Sequence, residues 1–200
     1  MVIYLFNGKG GSGKTLLSFL LASAFSEAGK RVAIRDLDFS ATGSASDYIS
    51  NLKRNSNTKV RLEEKGTAYD ILFLDTEGHL NDKAGHIVEE VKDCLAQSDI
   101  ILFPTSPSLG EVWGLKRTIS VVTPYLPSGA SPAMFFNRVK QNTRVAHGIE
   151  SIKQSINIRS LESKISDSTS YQEVPVAGWK SLPKRYKYEI QQLAMEIALL

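Results

Sequence analysis

"VIYLFNGKGGSGKTLL", residues 2–17, decides the fold. A short run of apolar, strand-favouring residues enters a glycine-rich turn. The turn leads directly into "TLLSFLLASAFSEAG" (15–29), which is apolar on most faces and closes at Gly29. Strand, glycine loop and buried helix, in that order, open a parallel α/β sheet. The loop matches G-x-x-x-x-G-K-[ST] at Gly8, Gly13, Lys14 and Thr15. Glycines there let backbone N–H groups turn onto phosphate oxygens, and the helix N-terminus adds its partial positive charge. Lys14 is expected to face the β- and γ-phosphates and Thr15 to ligate Mg²⁺. Gly10, Gly11, Ser12 and Leu16 complete the expected cradle.

Outward from that unit, apolar runs alternate with helical patterns. "RVAIRD" (31–36), "YDILFLD" (69–75), "DIILFPT" (99–105) and "PAMFFNRV" (132–139) read as strands. Their continuous apolar character is that of a parallel sheet covered on both faces. Helices are expected near 82–97, 109–123, 143–156 and 184–200, and the polar stretch 51–67 reads as a loop with a short edge element. The pattern predicts one domain over 1–200, a doubly wound, mostly parallel sheet with helices on both faces. Its ligand belongs at the carboxyl ends of the strands.

Two carboxylates are expected at those ends. Asp75 closes "ILFLD", with Gly78 just beyond it, and Asp36 closes "RVAIRD", with Asp38 close behind. Asp70 precedes its strand and belongs at the opposite, solvated edge. His79, Asp82 and His86 lack the compact spacing of a metal site.

Composition sets the bounds. The hydrophobic fraction is 42% and the charged fraction 22%, as in ordinary globular domains. No apolar stretch approaches a membrane span, and "VIYLF" is too short for an export signal. The one cysteine, Cys94, falls in register with Ile87, Val88 and Val91 and reads as a packed core thiol in a cytoplasmic protein. The net charge of +3 is unevenly placed: residues 131–200 hold ten Lys/Arg against six Asp/Glu. That surplus points to a polyanion partner, with Arg159, Lys180, Lys184, Arg185 and Lys187 as candidate contacts.

The motifs carry a family resemblance over nearly the whole chain. "KGGSGKT" (9–15) resembles the deviant Walker A loop of the ParA/MinD ATPases, marked by an extra lysine at its start, here Lys9. "DLDFSATGSAS" (36–46) resembles their A′ motif, although Phe39-Ser40 replaces the usual Pro-Gln. "YDILFLDTEG" (69–78) resembles their Walker B strand, and 98–118 is similar to the segment that follows it, with Glu111 for the usual aspartate. In compactness the chain is similar to the small ParF-type plasmid partition ATPases.

That resemblance implies a P-loop NTPase using ATP and Mg²⁺. It implies a face-to-face dimer in which Lys9 reaches the partner subunit's phosphates, as arginine fingers do. It assigns Lys9, Lys14 and Asp36 catalytic roles, Asp36 by positioning the attacking water. Thr15, Asp36 and Asp75 fall on the metal side, and Asn137 and Arg138 flank adenine. The segment 171–178 is a further candidate to cover the base, and the lack of an N-K-x-D motif favours ATP over GTP. The implied function is DNA partition by an ATP-dependent homodimer. It binds nonspecific DNA in the nucleoid and is released when a small DNA-binding adaptor protein stimulates hydrolysis. A membrane-cycling positioning ATPase and a metabolic P-loop enzyme are the rivals. Glu189 and Glu196 in the tail "YEIQQLAMEIALL" are the wrong charge for an anionic membrane, so that helix is expected to pack on the core.

Overall fold

The computed structural model describes residues 1–8, 11–38, 43–54, 58–66, 68–81, 85–140 and 149–200. Seven strands form one sheet in the order β3-β2-β4-β1-β5-β6-β7. They are β1 (Val2–Leu5), β2 (Val32–Asp36), β3 (Arg61–Leu62), β4 (Ile71–Asp75), β5 (Ile100–Thr105), β6 (Ser131–Val139) and β7 (Arg159–Ser166). Every neighbouring pair is parallel. β1 lies between β4 and β5, so the chain winds away from it in both directions. That is the topological switch point where ligands bind in such sheets.

Strand periodicity distributes the core. In β1, Ile3 and Leu5 face one side and Tyr4 and Phe6 the other, all fully buried. The first side is covered by α1 (Lys14–Glu27), α2 (Ala45–Arg54), α6 (Ser170–Ala177) and α7 (Lys184–Ile197). The second is covered by α3 (Glu89–Ala96), α4 (Leu109–Val122) and α5 (Ile149–Gln154). α1 is apolar nearly all round because it packs against both the sheet and α7. It ends as its sequence predicts: Gly29 takes φ 85, and the Lys30 N–H bonds to the Phe25 carbonyl at 3.1 Å.

Several elements depart from the expectation. Residues 45–54 form a helix, because Ala45, Ile49 and Leu52 make a narrow apolar stripe on an otherwise polar segment. The edge element expected within 51–67 is β3. α3 begins only at Glu89, with an isolated bridge between Asn81 and Ile87 ahead of it. α5 begins at Ile149, and 143–148 of the helix expected there lie outside the described residues.

β7 was not anticipated. It is an edge strand, and the acidic residues of α7 satisfy its backbone. Glu189 accepts hydrogen bonds from the Ser166 N–H (2.8 Å), the Ser166 hydroxyl (2.7 Å) and the Tyr171 hydroxyl (2.8 Å). Glu196 accepts from the N–H groups of Glu162 and Ser163, each at 2.7 Å. Paired this way, the edge presents no open row of donors to another chain. The apolar stripe of α7 (Ile190, Leu193, Ala194, Ile197) is buried in the core, as the tail predicts.

Cys94 is buried and its thiol is pushed up to about 12 by burial, an inert core position. Asp70 lies at the opposite end of the sheet from Asp75, clasped by Arg31, which holds its carboxyl down at about 2. No helix among the described residues is long and apolar enough to cross a membrane.

Candidate functional site

The loop after β1 lies at the switch point and hands the chain to α1. Gly13 is the turning residue, with φ 82, and a Cβ there would also meet Arg138 Nη2 at 3.4 Å. Gly8 is required by a close approach: its Cβ would lie 3.0 Å from the Thr118 hydroxyl of α4. As the N-cap of α1, Gly13 has no side chain to offer, so no side chain caps the first turn. A helix start left open in this way is a ready anion site. Lys9 and Gly10 lie outside the described residues.

Lys14 is only 6% exposed. Burial pushes its ammonium below the ordinary value, against the attraction of Asp75 and Asp38. Asp75 is fully buried, and neither carboxylate oxygen has a hydrogen bond of normal geometry. Burial raises it to about 7; the nearby Thr15 hydroxyl and Lys14 oppose that rise, while Asp36 and Asp38 add to it. An orphaned buried carboxylate is costly unless something positive satisfies it. Beside the Thr15 hydroxyl, it fits a divalent cation. Among the described residues no group of three or more His, Cys, Asp or Glu side chains forms a protein-only metal cage. The donor set therefore suits a cation such as Mg²⁺, which takes one or two protein ligands and completes its shell with phosphate and water.

Asp36 is paired in register with Asp75 on the neighbouring strand. Its two oxygens accept from the N–H groups of Asp38 (3.2 Å) and Ser46 (2.8 Å). The carboxylate thus ties the turn after β2 to the first turn of α2. The rest of that turn, 39–42, lies outside the described residues.

The other wall comes from the end of β6. Asn137 donates to the Ser12 carbonyl at 3.4 Å and Arg138 Nη2 to the Gly11 carbonyl at 2.9 Å. Arg138 does this from φ 55, a left-handed conformation that is uncommon outside glycine and here sits against the loop. Behind the pair is a cleft lined by Leu16, Asp167, Ser168, Tyr171 and Gln172, among others. Tyr171 and Gln172, from the segment 171–178 expected to cover the base, line this cleft. The rest of α6 runs toward α2, where Asn51 donates to the Pro175 carbonyl at 3.3 Å. Asp167 and Ser168 line the cleft without standing among the expected residues, because β7, which delivers them, does not read as a strand in the sequence.

The described candidates Gly8, Gly11, Ser12, Gly13, Lys14, Thr15, Leu16, Asp36, Asp75, Asn137 and Arg138 therefore converge on one end of the sheet. Among the other candidates, Lys180 begins far from that end, beside Lys59 and Trp179. Arg185 pairs with Glu189 at 3.7 Å. His79 is exposed, within 4.0 Å of Glu77.

A family model described as the CobQ/CobB/MinD/ParA nucleotide binding domain matches residues 3–179. No curated protein matches at the sequence level. Among solved structures, the MinC:MinD cell division protein complex of Aquifex aeolicus gives a TM-score of 0.76 at 15% identity, covering 100% of this chain and 96% of that one. A putative plasmid partition protein from Borrelia burgdorferi, bound to AMPPNP, gives 0.73 at 18%, covering 99% and 98%. A Cyanothece McdA–ATP complex gives 0.69 at 14%, covering 100% and 96%. At these identities the likeness is one of fold.

Proposed function

The chain belongs to the CobQ/CobB/MinD/ParA nucleotide-binding family, and from that premise we propose that it is a partition-type ATPase. ATP lies with its phosphates on the loop 8–15 and its base against Asn137, Arg138 and Leu16. Lys14 meets the β- and γ-phosphates. Thr15 and Asp75 would hold Mg²⁺, with Asp36 beside them. When bound, the ion neutralises charge on the phosphates. Asp36 orients the attacking water, and Lys9 from a facing subunit stabilises charge on the transferring phosphoryl group. The ATP-bound homodimer binds nonspecific DNA, and a small DNA-binding adaptor stimulates hydrolysis to release it.

One observation carries the nucleotide half of this reading. Asp75 is a buried carboxylate with no hydrogen bond of normal geometry, set beside Thr15 and Lys14 at the open start of a helix. That arrangement is unfavourable alone and favourable with a cation and a polyphosphate. What supports DNA over a membrane as the surface is the packing of α7. The apolar stripe of α7 is spent on the core and its glutamates on β7.

Calorimetry of Mg²⁺–ATP against the parent and Lys14→Ala tests the site. The variant is expected to lose at least about tenfold in affinity, about 1.4 kcal/mol. Unchanged affinity would remove Lys14 from the phosphates. ATP turnover should rise with added duplex DNA and adaptor rather than with anionic vesicles; the opposite preference would favour the membrane-cycling reading.

A further inference from the structure

A large cavity among the described residues is at the other pole of the sheet. It is about 540 Å³ and lies where β2 and β3 begin, away from the loop 8–15. Its walls include Lys30 and Arg31 from the turn after α1, Lys53 from α2, and Lys59 and Arg61 from β3 and its approach. No acidic residue among the described residues lines it. A smaller cleft of about 70 Å³ continues from Thr58 and Lys59 to Trp179 and Lys180, with Glu27 on its wall. Arg31 is engaged with Asp70. Lys53, Lys59 and Arg61 are exposed and form no ion pair among the described residues.

We propose that this trough is a binding site for the phosphodiester backbone of duplex DNA, distinct from the nucleotide site. The proposal rests on the DNA-binding part of the function proposed above and gives it a location. A single small anion calls for donors converging on one point. Here the cations come from separate elements along an open groove, which suits a linear polyanion whose charges repeat along its length. A membrane-binding face would add exposed apolar side chains to sink among the acyl chains. These walls offer the polar Ser26 and Thr58; Val32, Ala33 and Val60 are buried, Tyr69 is half-buried, and exposed Ala68 adds a single methyl.

The trough is complete within one subunit and lies away from the nucleotide. ATP-driven dimerisation therefore leaves it unchanged but joins two copies. Linking two weak sites raises overall affinity by about 10²–10⁴ without a new contact. ATP dependence of DNA binding then arises from the number of grooves rather than from a change in their shape.

The test uses random-sequence duplex DNA, with and without Mg²⁺–ATP, across a salt series. The parent is compared with the triple variant Lys53→Ala/Lys59→Ala/Arg61→Ala, whose three side chains are exposed. Turnover of ATP without DNA serves as the folding control and is expected to be unchanged. The variant should bind at least tenfold more weakly, and the slope of log K against log salt should fall by about 2 to 3. The parent should bind weakly without ATP and the same substitutions should weaken that binding too. If the parent binds DNA and the variant matches it in affinity and slope, the trough is overturned while the DNA reading stands. If the parent hydrolyses ATP but binds no duplex, or binds only anionic vesicles, both fall.

Discussion

Asp36 and Asp75 stand side by side at the carboxyl ends of adjacent strands, yet only Asp36 has its oxygens occupied. One carboxylate is tied into the backbone; the other is buried without a hydrogen bond of normal geometry. On the function proposed above, Asp36 is a positioning group and Asp75 a cation-seeking one, and each role has its own test.

Asp75 is held at about 7, above the ordinary 3.8, chiefly by burial. A raised carboxyl is protonated in the fold at pH values where the unfolded chain has already lost the proton. The native state then binds more protons than the unfolded one, so stability falls as pH rises from about 4 to about 7. Above that window the full penalty applies, on the order of 2–4 kcal/mol. Asp75→Asn should therefore raise the melting temperature of the ligand-free protein at pH 8 and have little effect near pH 4. It should also weaken Mg²⁺-dependent nucleotide binding. A variant less stable than the parent at pH 8 would contradict an uncompensated charge at this position.

Asp36→Ala is expected to bind ATP and Mg²⁺ nearly as the parent does but to have no turnover, trapping the dimer. Losing the acceptor of the Ser46 N–H should also cost about 1 kcal/mol, as for a helix cap. Single-turnover hydrolysis decides it. A parent-like rate would move the water-orienting role to Asp38.

Glu189 anchors the edge strand through three donors on β7 and α6. Glu189→Ala leaves the Ser166 N–H and the Tyr171 hydroxyl without their acceptor, at a cost of about 2–3 kcal/mol. Urea unfolding should show a lower midpoint with little change in slope. An unchanged midpoint would mean that water replaces the carboxylate at no cost.

The centre of the sheet was legible because each strand there is buried on both faces and therefore apolar throughout. β7 and α2 were not, for a related reason. Leu161 and Ile165 are the buried apolar residues of β7, and their spacing of four fits a helix as well as a strand. What makes that segment a strand includes a pair of glutamates more than twenty residues later. α2 buries Ala45, Ile49 and Leu52, too few to stand out from its polar face. At the site, the loop and both aspartates could be read from motif and strand position. The isolation of Asp75 and the left-handed turn of Arg138 could not, since burial and backbone conformation there depend on distant parts of the chain.

The central claim is that hydrolysis is shared between two facing subunits, and mixing two inactive chains tests it most directly. At an ATP concentration that fills only parent-like sites, Lys14→Ala is expected to leave its own subunit empty, while Lys9→Ala is expected to leave its own subunit able to bind ATP. In a mixed dimer the occupied site belongs to the Lys9→Ala chain and faces an intact Lys9 from its partner. ATP hydrolysis is expected in the mixture at a level absent from either variant alone. Mixed dimers that form demonstrably and yet remain inactive would contradict the claim, placing Lys9 in the service of its own subunit.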